Sequence, residues 1–189
     1  MAIDIHKIIA DALLKMCATT PLKAITIQKL LNETGVSRQA FYNRFLDKND
    51  LIRWVYEHKV LCNFLDNGPE TTYYLNTLNF YKAINKHRNF MKQACALTDQ
   101  NNLSDFIFDF AYKYDLKWHQ HYYGEEPLPS DYVYLTWYHA FASIATLMVW
   151  LKTDDQESPE VMATRITKTR SISMSDTLFG INNKMYEIK

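Results

Sequence analysis

Apolar residues recur every three to four positions along most of this 189-residue chain, which is the spacing of amphipathic α-helices. Segments with this spacing cover residues 5–17, 27–34, 37–45, 47–65, 70–85, 88–98, 103–122 and 132–151, and a last one begins at 159. The chain has four glycines, and almost none lies inside a periodic segment. The pattern therefore predicts an all-α protein and argues against glycine loops that bind phosphate groups.

The clearest local signals lie between residues 26 and 51. Thr26 and Ser37 are each placed to cap a short helix with a side-chain oxygen. Gly35 lies between these two helices, where the chain must reverse, because glycine adopts a left-handed conformation without steric cost. Asp47 is placed to cap a third helix. The stretch therefore predicts a helix, a tight turn, a second helix and the start of another.

The second of these helices has an apolar face and a polar face. Phe41 and Phe45, four residues apart, form the face that we expect to be buried. The opposite face carries Arg38, Gln39, Tyr42 and Asn43. Arg, Gln and Asn can each form two hydrogen bonds in one plane, as contacts with base edges in the major groove require. This arrangement predicts a DNA-binding helix-turn-helix, and the alternative is a helical hairpin whose polar face only contacts water.

The same stretch follows a longer pattern, T-(x)8-G-V-S-R-x-x-F-Y-x-x-F-x-x-K-x-x-L. This pattern resembles the signature of the TetR family of bacterial transcriptional regulators. The shared positions are Thr26, Gly35, Val36, Ser37, Tyr42, Phe45, Lys48 and Leu51. The chain departs from the family at Ala40, where Thr is usual, and at Arg44, where His is frequent. Ala40 has no side-chain donor for DNA.

The polar positions and the TetR resemblance together give the expected DNA contacts. Lys23, just before the first capped helix, and Lys48, in the first turn of the helix that Asp47 caps, are expected to contact phosphate groups. The full expected set is Lys23, Thr26, Ser37, Arg38, Gln39, Tyr42, Asn43 and Lys48.

The resemblance implies an all-α, TetR-like fold in which a long helix joins a three-helix head to a larger helical body. We expect a helix-turn-helix DNA-binding domain over 1–50, and a domain for dimerisation and for the response to an effector or coactivator over 51–189. Residues 1–60 hold 9 Lys and Arg against 6 Asp and Glu, and residues 61–189 hold 12 against 15, so the net charge changes from +3 to −3. A basic head on an acidic body agrees with this division. In the family the last two helices pair with their copies, so the resemblance also implies a homodimer.

Residues 132–151 form a twenty-residue segment without a formally charged side chain. This is the length of a membrane-spanning helix, but three tyrosines, two threonines and His139 do not suit contact with lipid, and we expect no membrane partner. A helix that is apolar all round is instead buried, here between its own body and a partner chain. Ala142, Ala145 and Thr146 would let a second helix approach closely.

The sequence offers no catalytic or metal-binding motif. His119 and His121, two residues apart on a helix, project to nearly opposite sides, and no further ligand pair has zinc spacing. Neither GxSxG nor HExxH occurs, so we expect no enzyme, metal or cofactor. The three cysteines lack CxxC spacing, which is typical of a reducing compartment, and Asp4 and Asp11 interrupt the first apolar segment, unlike a signal peptide. The expected location is the cytoplasm.

Aromatic side chains are frequent in the helices after residue 70. The TetR resemblance implies a ligand pocket among these helices, and such pockets are apolar with a few polar groups. The candidate lining residues are Phe90, Tyr112, Trp118, Tyr134, Trp137 and Tyr138. The same residues could equally fill a packed core. Most members of the family are repressors that a small molecule releases from a palindromic operator.

Two further segments, FYKAINKHRNFMKQ at 80–93 and YHAFASIATLMVWL at 138–151, resemble a TetR subgroup that includes regulators of dihydroxyacetone kinase operons. That subgroup includes an activator that works through a coactivator protein. The resemblance therefore leaves open a ligand-responsive repressor and a coactivator-dependent activator. Two other hypotheses are a helical protein-interaction module and a small-molecule-binding protein whose head is vestigial. A gel-shift assay with the DNA upstream of the protein's own gene distinguishes these two hypotheses from a transcriptional regulator, because only a regulator is expected to bind that DNA.

Overall fold

The structure, a computed structural model, describes residues 4–61, 72–98, 102–124, 126–154 and 157–179. Its α-helices are α1 (Ile5–Cys17), α2 (Ile27–Thr34), α3 (Arg38–Tyr42), α4 (Lys48–Val55), α5 (Tyr73–Lys86), α6 (Arg88–Ala94), α7 (Leu103–Tyr123), α8 (Ser130–Lys152) and α9 (Pro159–Phe179). A 3-10 turn at Leu22–Ala24 precedes α2, and a π-helical segment at Tyr56–Leu61 follows α4. These ranges contain no strand, and the all-α prediction is confirmed.

The predicted helix starts in the head are present. The Thr26 and Ser37 hydroxyls each accept a hydrogen bond from the N–H three residues further on, at 3.2 and 3.1 Å. The Asp47 carboxylate caps α4 in the same way, at 2.8 Å. Gly35 ends α2 in the left-handed region, with φ of 68°. These local contacts fix the orientation of α3 relative to α2.

The helix that begins after Asp47 changes its winding at Tyr56. The sequence predicts one helix to about residue 65, whereas α4 ends at Val55 and continues as the π-helical segment. The buried residues of that segment are Tyr56, Val60 and Leu61. Their spacing of four and five positions suits the wider turn of a π-helix. The predicted end of this helix lies outside the described residues.

Two later helices differ in length from the sequence pattern. Helix α6 ends at Ala94 rather than near residue 98, because the N–H groups of Ala96 and Leu97 turn back to carbonyls three residues earlier. Helix α9 continues to Phe179, through residues whose pattern supports no prediction.

The buried apolar side chains of the head and the body form one continuous core. Ile9, Leu13 and Phe41 are fully buried in the head, and Val55 and Ile84 continue the same core into the body. In the body, α5 packs against α9, and α7 packs against α8. This core holds the short helices of the head at one end of the longer body helices.

Helix α8 has one buried and one exposed apolar face. The buried face includes Ala140, Leu147 and Leu151. The exposed face carries Tyr134, Trp137, Tyr138, Phe141 and Val149. Even the large indole side chain of Trp137 is 42% exposed. No helix in the described ranges is both long and apolar enough to cross a membrane. One chain thus covers only one side of α8.

Candidate functional site

The polar face of α3 lies at the surface. Phe41 and Phe45 anchor the opposite face in the core, with ring centroids 5.4 Å apart. The residues predicted for the exposed face, Arg38, Gln39, Tyr42 and Asn43, are all exposed, and so is Ser37, the predicted cap. The Arg38 guanidinium lies 6.0 Å from the centroid of the Tyr42 ring, at the outer limit of a cation–π contact. The exposed face therefore presents the guanidinium of Arg38 and the side-chain amides of Gln39 and Asn43. Each of these groups can form two hydrogen bonds in one plane with a planar partner.

Lys23 and Thr26 lie at the amino-terminal side of α2, and both are exposed. The Thr26 hydroxyl already accepts the capping hydrogen bond, but its O–H remains a donor. The structure therefore places a cation and a hydroxyl donor at the start of α2, in agreement with their predicted positions on the surface of the head.

Lys48 has a different environment from the one expected. It is half-buried, and its ammonium group donates to the carbonyl oxygens of Leu22 and Ile25, both at 2.9 Å. These carbonyls belong to the turn between α1 and α2. Lys48 thus joins the start of α4 to that turn, a role that the sequence pattern did not indicate.

Replacing Lys48 with Ala should therefore lower the stability of the head as well as change its charge. Hydrogen bonds from charged groups contribute about 1.5–3 kcal/mol, and we expect a loss of about 2 kcal/mol in the free energy of unfolding. Urea unfolding monitored by circular dichroism measures this loss. Lys23→Ala, which removes an exposed lysine nearby, should leave the free energy of unfolding within about 0.5 kcal/mol of wild type. Equal stability of both variants would contradict the assigned role of Lys48.

Two of the cavities formed by the described residues lie among the body helices. The smaller, of about 70 Å³, is lined by residues from α5, α7, α8 and α9 and by Tyr56 of the π-helical segment. Tyr56 is fully buried, and its hydroxyl has no hydrogen-bond partner within the described part of the chain. The larger cavity, of about 270 Å³, is lined by Trp118, His119, Tyr132 and Arg170, among others. Through Tyr56, the smaller cavity touches the segment that follows α4.

A buried ion pair lies between the two cavities. Arg170 of α9 contacts Asp115 of α7 at 2.8 Å, and it donates to the hydroxyl of Tyr73 at 2.7 Å. Burial raises the pKa of Asp115, and the charge of Arg170 opposes that rise. His119 is hydrogen-bonded to Thr136 at 2.8 Å, and burial lowers its pKa to about 3, so this imidazole is neutral at physiological pH. The described residues contain no group of His, Cys, Asp and Glu suited to hold a metal ion.

The structure does not bring the six predicted pocket residues together. Trp118 lines the larger cavity. Phe90 is buried in the core next to α1, and Tyr112 is half-buried on α7. The three residues from α8, Tyr134, Trp137 and Tyr138, are on its exposed face. Because α8 is apolar on every side, its periodicity does not indicate which face points inward.

Sequence reasoning missed Tyr56, Asp115 and Arg170 as parts of the body interior. Asp115 and Arg170 each occur in a segment with other polar residues, where a single charge is most often exposed. Their pairing depends on where the packing of the body places α7 and α9, and no local spacing encodes that contact. The sequence pattern predicted one continuous α-helix through Tyr56, so it did not indicate that this side chain faces the interior of the body.

Comparison with known proteins bears on this architecture. A TetR family model, described as "Transcriptional regulator C-terminal region", matches residues 72–171, which is more than half of the chain. The chain belongs to the TetR family of transcriptional regulators. TetR regulators are transcription factors rather than enzymes, so the predicted absence of enzymatic activity agrees with the family. No curated protein matches the chain in sequence.

Solved structures of TetR regulators share the fold. The dihydroxyacetone kinase operon activator DhaS superimposes with a TM-score of 0.70 at 17% identity, over 90% of this chain and 96% of that chain. A TetR transcriptional regulator from Streptococcus agalactiae 2603V superimposes with a TM-score of 0.60 at 18% identity, over 87% of this chain and 92% of that chain. At these identities the likeness concerns the fold, and the TetR-like architecture predicted from the head motif is confirmed.

Proposed function

We propose that this TetR protein is a homodimer that binds a palindromic operator through α3 and changes its DNA affinity when an effector binds the body. The observation that carries the proposal is the exposed polar face of α3, anchored from behind by Phe41 and Phe45. We also propose that residues 1–50 act as the DNA-binding domain and that 51–189 act as the dimerisation and effector domain. The proposed site of action is the cytoplasm.

The proposed contacts divide into two kinds. Arg38, Gln39 and Asn43 would contact base edges, because their donors and acceptors form pairs in one plane. The remaining residues, Lys23, Thr26, Ser37, Tyr42 and Lys48, would contact the phosphate backbone and set the orientation of the head. Lys48 would act mainly by holding the turn before α2 through its two carbonyl contacts.

Lys23 provides a direct test of a backbone contact. Removing one phosphate contact lowers the slope of log affinity against log salt concentration by about 1 unit, so we expect this flattening in Lys23→Ala, with equal weakening on all DNA sequences. Lys117→Ala on α7, an exposed lysine in the body, is the matched control and should leave the slope unchanged. Fluorescence anisotropy at several salt concentrations measures both. A wild-type slope in Lys23→Ala would remove Lys23 from the contact set.

The proposed dimer surface is the exposed apolar face of α8 together with α9. Tyr134, Trp137 and Phe141 recur at helical spacing, and Ala145 continues the same line toward the end of α8. A continuous apolar face of this kind marks an association surface in soluble proteins. A second copy related by a two-fold axis would cover it and would place two α3 helices on one face of the DNA.

The overall proposal is tested by a gel-shift assay with the DNA upstream of the protein's own gene. We expect a retarded complex that forms at lower protein concentration than with an unrelated duplex of equal length. Equal affinity for both duplexes would argue against a sequence-specific regulator and would favour a protein-interaction module.

The proposed effector is a small molecule in the larger cavity, against Trp118. A volume of about 270 Å³ is just below the range, roughly 300–1,000 Å³, that ligand pockets occupy. Tyr73 lines both cavities, and the smaller one reaches Tyr56, which directly follows α4. An effector that binds the DNA-bound and free forms with different affinity must change DNA affinity by the same factor.

Tryptophan emission tests this site. A metabolite of the controlled pathway should change the emission of the wild-type protein and raise its melting temperature. The emission change should be lost in Trp118→Phe and kept in Trp137→Phe, whose indole is exposed on α8. Loss of the change in both variants, or in neither, would argue against a ligand at Trp118.

A second candidate is an activator that responds to a coactivator protein. The fold similarity to DhaS, which is named as an operon activator and is matched over nearly its whole length, favours this candidate. In this case no metabolite would change tryptophan emission, while a partner protein encoded nearby would change the affinity for DNA.

A further inference from the structure

The buried ion pair of the body separates two cavities of different character. Asp115 lines the smaller cavity, and Arg170 lines the larger one. Among the described residues that line the larger cavity, Arg170 is the one with a formal charge, and none of them carries a carboxylate. The negative partner of the pair therefore faces one cavity, and the larger cavity has a wall with a positive charge.

His119 adds no charge to the larger cavity. The Thr136 hydroxyl donates its hydrogen to the carbonyl oxygen of Tyr132 at 2.7 Å, so its oxygen accepts from His119, at 2.8 Å. Nδ1 of His119 therefore carries the proton of a neutral ring. Burial, together with the nearby charges of Arg170 and His139, lowers the pKa of His119 to about 3. Arg170 is thus the cation that a ligand in this cavity meets.

A hydroxyl lies beside Arg170 on the same face of α9. Thr167 precedes Arg170 by three positions, so the two side chains are neighbours on the helix surface. Thr167 also lines the larger cavity, and its hydroxyl is buried without a hydrogen-bond partner within the described part of the chain. A buried donor that has lost its bonds to water destabilises the protein. An acceptor atom of a ligand would offset that loss.

The remaining walls of the larger cavity are mainly aromatic. Two edge-to-face ring pairs line it, Tyr73 with Trp118 at 6.5 Å between centroids and His119 with Tyr132 at 4.9 Å. Aromatic walls favour an apolar, flat ligand body. An apolar cavity of about 150 Å³ holds benzene. A cavity of about 270 Å³ therefore suits a single ring with a short substituent.

We propose that the larger cavity binds a small aromatic monocarboxylate, with its carboxylate against Arg170 and Thr167 and its ring among the aromatic side chains. This inference rests on the proposed effector site at Trp118 and names the class of ligand for it. A carboxylate accepts two hydrogen bonds in one plane, which matches the donors of a guanidinium. One negative charge suits the site better than two, because Asp115 already neutralises part of the charge of Arg170.

A ligand acid and Asp115 would share one cation, and this separates the proposal from a purely structural ion pair. Like charges near one another disfavour the charged form of each, so Asp115 weakens the binding of an acid. Removal of the Asp115 charge should therefore strengthen the binding of an acid and leave the binding of its neutral amide unchanged. A pair with a structural role alone gives no difference between acid and amide.

The experiment measures binding to the full-length protein by calorimetry at pH 7. The probes are benzoate, phenylacetate and 3-phenylpropionate, each compared with its amide. We expect at least one acid to bind about tenfold more tightly than its amide, since hydrogen bonds between charged groups are the stronger ones. Phenyl phosphate, with about two negative charges at pH 7, should bind less tightly than that acid.

Three variants test the placement of the acid. Asp115→Asn should bind the preferred acid about tenfold more tightly than wild type does, with the affinity for the amide unchanged. Thr167→Val should bind the acid several-fold less tightly. The double variant Asp115→Leu with Arg170→Met lacks both buried charges and should lose the preference for the acid over the amide. The double variant also provides the test where Asp115→Asn does not fold.

Matched controls lie on the same helices but outside the lining of the cavity. Asp109→Asn on α7 removes an exposed carboxylate, which pairs with Lys113. Thr164→Val on α9 removes a hydroxyl that donates to the carbonyl of Glu160 at 2.8 Å. Both variants should bind the acid and the amide as wild type does.

The outcomes separate this inference from the proposed function. Equal affinities of acid and amide in every pair, or no binding of any of the acids, would overturn the inference. Unchanged acid affinity in folded Asp115→Asn, a retained acid preference in the double variant, or tighter binding of phenyl phosphate would also overturn it. An acid that binds as expected but leaves DNA affinity unchanged would overturn the proposed effector role alone. Wild-type protein that binds the acid but no DNA would overturn the DNA-binding function alone.

Discussion

Arg170→Met should lower the free energy of unfolding by about 3–5 kcal/mol, since it leaves a buried carboxylate without its partner. Arg170 and Asp115 are both 5% exposed, and Arg170 also donates to the Tyr73 hydroxyl. The loss is a large part of the roughly 5–15 kcal/mol that stabilises a typical domain. Urea unfolding at neutral pH measures it.

The deficit of Arg170→Met should also depend on pH. Burial already raises the pKa of Asp115, and removing the opposing arginine raises it further. A carboxyl group whose pKa is higher in the folded than in the unfolded protein contributes stability at low pH and loses it as the pH rises through the folded value. The deficit should therefore be smaller in acid and larger at neutral pH.

Two comparisons control this result. Lys113→Ala removes an exposed ion pair with Asp109 and should cost at most about 0.5 kcal/mol. The double variant Asp115→Leu with Arg170→Met removes both buried charges and should recover most of the stability. A loss below about 1 kcal/mol for Arg170→Met would contradict the buried ion pair.

Ala145→Glu should convert the proposed dimer into monomers and abolish operator binding. Ala145 is exposed in the single chain, so the substitution should leave the fold intact. It places a carboxylate in the middle of the apolar face of α8, where a partner copy would bury it at a cost of several kcal/mol. Sedimentation at micromolar concentration gives the mass, and circular dichroism gives the helix content.

Lys117→Glu on α7 serves as the control for adding negative charge at an exposed helix position, and it should sediment as wild type. Wild-type protein that is monomeric at micromolar concentration, or Ala145→Glu protein that remains dimeric, would argue against the α8 surface. Aggregation of Ala145→Glu with loss of helix content would place Ala145 in the fold rather than the interface.

The head could be predicted closely from the sequence because its determinants are local. Thr26, Ser37 and Asp47 act within one helical turn, and Gly35 acts on its own backbone. The body helices could be predicted from apolar spacing for the same reason. The predicted ends differ by a few residues where tertiary contacts determine the position at which a helix stops.

The interior of the body could not be predicted in the same way. Asp115 and Arg170 come together only when α7 and α9 pack, and a helix that is apolar on all sides, such as α8, does not indicate its inward face. Lys48 illustrates the same limit in the head. It occupies one position of the TetR pattern, but its contacts with Leu22 and Ile25 depend on how the turn folds back toward α4.

The most direct test of DNA binding through α3 compares Arg38→Ala with wild type on an operator selected from random-sequence DNA and on random DNA of equal length. A lost bidentate contact with a base should cost about 1–3 kcal/mol on the selected operator, and the affinity for random DNA should change much less. Anisotropy titrations at one salt concentration measure both affinities, with Lys113→Ala as the control for removing a positive charge. Gln39→Ala should behave like Arg38→Ala. An identical loss on operator and random DNA for both variants would contradict base recognition by α3.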